Sequence, residues 1–280
     1  MTHSIVMQHN FTINEDGEDI VTQKARNAEK AQNAQKAIEA LAADREALLK
    51  IGAGLGETEW ASQSGCPGWS VRDVVGHLGA LYWMVVDPST LPDVSDLPTE
   101  RAADVFVEQR RSWTAAEVLA DYESVSTRGL AALEGLADQD FSVPLGDLGT
   151  YRASVIPNAF AFDHFVHIRS DLFAPRGPLT GAPPPSDELH LGPALDWVEA
   201  ALPQQNAPAL AGLGAAVEID LSGPGARLIR LGSGEAASRV RSKTDTFVRW
   251  VTQRTTWAAA GVASSGDEGD LTIARSLRVF

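Results

Sequence analysis

Three side chains in this sequence have the types and the spacing to hold a divalent cation. Asp163 and His167 stand four residues apart, so on a helix they share one face, with Asp171 one turn further along. His77 lies far upstream, beside the apolar stripe of its own helix. A carboxylate and an imidazole from one helix with an imidazole from a second would give three N/O ligands and leave a coordination position open. That is the arrangement of catalytic rather than structural zinc, and helix bundles build such sites from facing helices. His164 is turned by about 100° from its neighbour Asp163 and falls outside the set. The same residues have a plainer reading, with His77 as a packed core histidine and Asp163 and His167 as a helix-surface pair worth about 0.3 kcal/mol. Spacing alone does not choose between the two.

The elements that must position these residues are written in the surrounding sequence. Ser70 precedes Asp73 by three and opens an apolar run, which predicts a capped helix in which Val71, Val74, Val75, Leu78, Leu81, Tyr82 and Val85 form the core face. Asp73, one turn before His77, is placed either to orient that imidazole or to complete the cap. A first helix is predicted from Gln23 to about Leu55, with Ala34, Ile38, Leu41, Ala42, Leu48 and Leu49 facing the core and Gly52, Gly54 and Gly56 ending it. Glu100 to Ser112 and Ala115 to Leu136 follow, the second opened by the capping pair Thr114 and Glu117. Asp138 to Thr150 reads as a polar loop, and Ser154 caps a helix through Leu172 that tolerates Pro157 in its first turn. Four amphipathic helices without a strand between them predict a helix bundle.

The grammar changes at Pro175 to Pro185, a segment with five prolines. Beyond it, Ser186 to Leu202 reads as a helix, while Ala216 to Leu221 and Arg227 to Leu231 alternate with period two around a turn at Ser222 to Gly225. Thr244 to Trp257 and Gly269 to Leu277 return to helical spacing. The expected fold class is therefore α plus α/β, a four-helix bundle followed by a small α/β domain. The expected boundaries are an N-terminal extension over residues 1–22, the bundle over 23–182 and the small domain over 183–280.

Composition narrows the function classes. A net charge of −14 and a pI near 4.8 argue against nucleic acid or an anionic membrane as the main partner, since both would repel this surface at long range. The single cysteine, Cys66, cannot pair within the chain, which fits a reducing cytoplasm. No secretory signal pattern and no apolar run of membrane-spanning length is present, so the expectation is a soluble cytoplasmic protein. Cys66 reads as a small packing residue before a helix N-terminus, although the dipole of that helix would favour its thiolate. Trp60, Trp69, Trp83 and Trp113 read as bundle core rather than as a stacking platform.

Residues 68–78, GWSVRDVVGHL, together with Asp163-x-x-x-His167-x-x-x-Asp171-Leu172, resemble the mycothiol-dependent maleylpyruvate isomerase family. Its first motif, W-[ST]-V-x-D-x-x-x-H-L, is met by Trp69, Ser70, Val71, Asp73, His77 and Leu78. Its second places a carboxylate four residues before a histidine with an aspartate about a turn beyond, and this chain has Asp163 where glutamate is usual. The resemblance implies a DinB-like bundle and a C-terminal α/β domain, the latter also slightly like sterol-carrier (SCP2-like) domains. It implies His77, Asp163 and His167 as ligands of a divalent metal, taken as zinc. It further implies a low-molecular-weight thiol, mycothiol or a relative, activated as thiolate to isomerise or S-conjugate a small electrophilic substrate. Arg254 falls near a position where the family often has arginine, which suggests a clamp on a thiol or substrate carboxylate. By itself Arg254 reads as an exposed helix charge. A rival reading makes the chain a non-catalytic, metal-containing protein that binds or senses a small ligand; it predicts no turnover with electrophilic acceptors.

Overall fold

The computed structural model describes the backbone of residues 20–280 and side chains from residue 32. The extension expected over residues 1–22 lies outside the described residues except for its last three, which open the first helix.

Helix α1 (Ile20–Gly54) is followed by the short α2 (Glu57–Ala61) and by α3 (Val71–Val86). Ser70 caps α3 as its sequence predicts: its hydroxyl accepts from the Asp73 amide, and the Asp73 carboxylate accepts from the Ser70 amide and hydroxyl. Val71, Val74, Val75, Leu78 and Tyr82 are buried along one stripe. Next come α4 (Thr99–Arg110) and α5 (Ala115–Glu134), the latter capped by Thr114 with Glu117. A two-stranded hairpin of β1 (Ser142–Pro144) and β2 (Thr150–Arg152) stands where a polar loop was expected. Helix α6 (Ile156–Val166) leads into a π-helical segment, His167–Leu172, so the element predicted as one regular helix changes its hydrogen-bonding register at His167. The bundle consists of α1, α3, α5 and α6, with α4 laid against α3.

Helix α7 (Glu188–Gln205) packs on both α6 and α1, so it lies against the bundle while belonging in sequence to the segment beyond the proline-rich stretch. A short α8 (Ala207–Leu210) then leads to the sheet. Strands β3 (Ala216–Ser222) and β4 (Arg227–Leu231) form the expected antiparallel pair, turning through Gly223 and Gly225, both with positive φ. A third strand, β5 (Ala236–Lys243), pairs parallel with β3, where the sequence reading had none. Its inward residues are Ser238 and Val240 between arginines, so a single large apolar side chain marks its buried face. Helix α9 (Thr244–Val251), strand β6 (Ala263–Ser265) and α10 (Glu268–Ser276) complete a sheet of order β4-β3-β5-β6 with its helices. α9 stops six residues short of Trp257, the expected end, because Gln253 turns left-handed at φ 59° and the amides of Arg254 and Thr255 both return to the Arg249 carbonyl.

Two buried polar groupings sit in the bundle. Asp44 of α1, 1% exposed, accepts from both Arg169 terminal nitrogens at 2.8 and 3.0 Å, and His190 of α7 approaches it at 3.4 Å. This grouping fastens α7 and the π-helical segment to α1. His164 points into the core with no exposed surface and donates from Nδ1 to the Phe160 carbonyl at 2.9 Å. Burial pushes its pKa down to about 4, so the ring is neutral at pH 7. No helix among the described residues is long and apolar enough to cross a membrane.

Candidate metal centre

His77 projects from the second turn of α3, and Asp163 and His167 project from one face where α6 passes into the π-helical segment. His77 Nε2 lies 3.2 Å from Asp163 Oδ2, and His167 Nε2 lies 3.5 Å from Asp163 Oδ1. Donor atoms of the three residues lie within 4.8 Å of one another. Zinc bonds of about 2.0–2.1 Å in tetrahedral geometry put neighbouring ligand atoms about 3.3 Å apart, so the cluster has the dimensions of a metal site. The two histidines are buried, and the Asp163 side chain is 27% exposed, which leaves the carboxylate side open to solvent. Burial by itself would raise the Asp163 pKa; attraction to His167 and His77 overcomes it and holds the carboxyl well below its usual range. In His167, burial works against the charged ring, and Asp163 outweighs it, so the imidazole holds its proton above the usual histidine range.

The ring of His167 is fixed from its far side. Its Nδ1 donates to Asp171 Oδ2 at 2.9 Å, leaving Nε2 aimed at Asp163 and His77. Asp171 has no exposed side-chain surface, and its pKa is depressed because the His167 and Arg254 contacts outweigh the effect of burial. Arg254 Nε and Nη2 donate to the same Oδ2 at 3.0 and 2.6 Å, and Arg176 Nε approaches Oδ1 at 3.4 Å. Arg254 is thus neither helical nor exposed: it follows the left-handed Gln253 and its side chain is 17% exposed. His77 has no such support. Its Nδ1 is buried without a hydrogen-bond partner among the described residues, and Asp73 spends its carboxylate on the α3 cap.

Several neighbours were not read as part of the site. Trp69 walls it, with its ring centroid 5.0 Å from that of His77 and 6.3 Å from that of His167, and its indole N–H donates to Asp104 at 3.1 Å. Trp60 is core as expected, whereas Trp83 and Trp113 are half-buried at the bundle edge beneath Arg128 and Arg110. Cys66 places Sγ 3.6 Å from His167 Nδ1, so it packs directly on a candidate ligand. The loop carrying it lies on the π-helical segment: the Gly65 amide donates to the Asp171 carbonyl at 2.8 Å, and a Cβ at Gly65 would come within 2.7 Å of Asp171 Oδ1. The only sequence signal for this approach is the pair of glycines in Ser64-Gly65-Cys66-Pro67-Gly68.

Comparison with known proteins bears on the fold that carries these residues. Residues 41–172 match the family model described as the mycothiol maleylpyruvate isomerase N-terminal domain. The chain is also similar to the crystal structure of a mycothiol-dependent maleylpyruvate isomerase, with TM-score 0.53 at 15% identity. A histidine-to-alanine mutant of that isomerase gives TM-score 0.52 at 15% identity. Each alignment covers 86% of this chain and 94% of the other, so the likeness of fold extends past the bundle into the C-terminal domain. No curated protein sequence matches the chain.

Proposed function

We propose, from the match of residues 41–172 to the mycothiol maleylpyruvate isomerase N-terminal domain model, that the chain is a metal-assisted, thiol-dependent enzyme. It isomerises or S-conjugates a small electrophilic substrate, with mycothiol or a related thiol as co-substrate and zinc as the metal. The observation that carries this reading is the convergence of His77, Asp163 and His167 from two separate helices.

In this reading those three residues hold the cation, which supplies positive charge that lowers the pKa of a thiol beside it. The protein does the rest. Asp171 holds His167 in the tautomer that presents Nε2. Trp69 closes one side of the site against water and keeps the local dielectric low. Asp163 supplies one negative charge against the cation, leaving a net positive centre suited to an anionic sulfur. Arg254 gives one edge of its guanidinium to Asp171, while its Nη1 meets the Thr252 carbonyl at 3.4 Å. That second edge is the one available to a carboxylate of thiol or substrate.

The test is an assay of maleylpyruvate isomerisation and of thiol transfer to electrophilic acceptors, run with mycothiol and with a chelator. Turnover that needs the thiol and disappears on chelation supports the proposal. Metal and thiol binding without turnover of any acceptor would instead favour the ligand-binding alternative.

A further inference from the structure

The three candidate ligands come from α3 and from the junction of α6 with the π-helical segment, yet α4 also reaches the centre through one side chain. Asp104 of α4 accepts from the Trp69 indole N–H through Oδ1 at 3.1 Å, and its Oδ2 accepts from Arg101, three residues earlier, at 3.1 Å. Trp69 is also held at its backbone. Its amide donates to the Cys66 carbonyl at 3.0 Å, and its carbonyl accepts from the Ser64 amide at 2.9 Å and from the Ser64 hydroxyl at 2.7 Å. A tryptophan side chain turns about two torsions, so a pinned backbone and a pinned indole N–H together fix the plane of the ring.

That plane lies against both histidines, tilted 47° to His77 and 22° to His167. The two imidazoles are oriented by different means. Asp171 holds His167 through Nδ1 at 2.9 Å, whereas Asp73, the acid one turn before His77, gives its Oδ2 to the cap of α3. His77 is instead packed between aromatic neighbours: Trp69 at a centroid distance of 5.0 Å and His167 at 5.1 Å, the latter edge-on at 69°. In a close-packed interior a tilt of one ring displaces the ring it touches. We propose that Asp104 is a positioning residue of the candidate metal centre: by holding the Trp69 indole, it sets the angle at which His77 presents Nε2. The proposal rests on reading His77, Asp163 and His167 as ligands of a cation. Asp104 acts through the indole, and its side chain is 49% exposed, so replacing it leaves the bundle core in place.

The experiment uses the full chain with Asp104→Asn and Asp104→Ala, each alone and combined with Trp69→Phe. The two replacements at Asp104 lose the same charge, but only asparagine keeps an oxygen for the indole N–H. Zinc affinity is read by competition with a chelating dye, and the Trp69 indole N–H and His77 ring resonances are read by NMR in the metal-free protein. Asp104→Ala is expected to bind zinc about fivefold more weakly than Asp104→Asn, the worth of one ordinary hydrogen bond. In the Trp69→Phe background, which has no N–H to hold, that gap should close. Metal-free Asp104→Ala should shift both the Trp69 and the His77 resonances, while Asp104→Asn leaves them near their wild-type positions. Equal affinities of the two Asp104 variants, a gap that survives in Trp69→Phe, or His77 resonances unmoved in Asp104→Ala would each overturn the proposal. Failure of the wild-type chain to bind zinc would overturn the reading of the cluster instead, and the metal-free His77 resonances would then decide the positioning role by themselves.

Discussion

Arg254 and Asp171, 83 residues apart, are joined by two hydrogen bonds to a single carboxylate oxygen that also accepts from His167. The Asp171 side chain is wholly buried, so a variant without the guanidinium leaves a partly compensated carboxylate in the interior. Arg254→Met is expected to cost about 3 kcal/mol in urea unfolding and to weaken metal binding as well, because Asp171 no longer holds the His167 ring. An unchanged unfolding midpoint would mean that Arg176 alone satisfies the carboxylate.

Asp163 supplies the anionic oxygen of the candidate cluster. Asp163→Ala leaves two histidines and is expected to lose metal on dialysis, while Asp163→Glu, which restores the carboxylate usual in the resembling family, retains it. Metal analysis of the two variants decides. Full occupancy in Asp163→Ala would remove this residue from the ligand set.

His167 must give up a proton to bind a cation through Nε2. Asp163 raises its pKa against the opposing effect of burial, so the metal-free ring stays charged above the usual histidine range. Apparent zinc affinity is therefore expected to climb with pH through neutrality and to level off only once the ring is neutral without metal. Zinc titrations in buffers from pH 6 to 9, with proton release read calorimetrically, measure this. Asp171→Asn keeps an acceptor but removes a charge, and its expected cost in affinity is roughly 10- to 100-fold.

His164 makes stability pH-dependent in the opposite sense from a salt-bridged histidine. Its folded pKa is pushed down to about 4 from 6.5, so the unfolded chain binds the proton first as pH falls. The stability from keeping the ring neutral is complete above pH 6.5 and is lost as pH falls through that value toward 4. The loss amounts to about 3 kcal/mol over that window. Urea unfolding at stepped pH should show it, and His164→Leu should flatten that part of the curve.

Gln253 is the only described non-glycine residue with positive φ, and it sets the direction in which Arg254 leaves α9. Gln253→Gly accepts the same backbone without a Cβ, so its expected stability change is within about 0.5 kcal/mol of zero and metal binding is unaffected. Gln253→Val places a branched Cβ in that conformation and is expected to cost about 2 kcal/mol, with metal binding weakened in step as Arg254 shifts. Equal behaviour of the two variants would uncouple this turn from the site.

The sequence disclosed the parts of the site that obey a period. Asp163 and His167 could be paired because a four-residue step on a helix has one meaning, and His77 could be placed by its capped, amphipathic helix. The contacts made by Cys66, Gly65 and Arg254 depend on how a loop and a distant domain lie on one π-helical turn, and no local pattern encodes that. Asp44 was hidden for another reason. It sits in an alanine-rich helix where an acidic residue normally faces water, and its partners Arg169 and His190 come from segments 125 and 146 residues further on. Strand β5 escaped because Val240 is the one large apolar side chain at its inward positions, with Ser238 as its buried neighbour, so alternation of polarity was nearly erased.

The link between Arg254 and Asp171 also sets a timetable for the growing chain. His77, Asp163 and His167 have all been synthesised when Asp171 emerges, yet the guanidinium that balances Asp171 follows 83 residues later. At ordinary translation speeds that gap is roughly 4 to 17 s, ample time for a helical bundle to collapse before the guanidinium of Arg254 exists. During that interval Asp171 has only Arg176 and the His167 proton to draw on. A bundle without residue 254 would therefore hold Asp171, and through it the His167 ring, with two fewer hydrogen bonds than the finished protein.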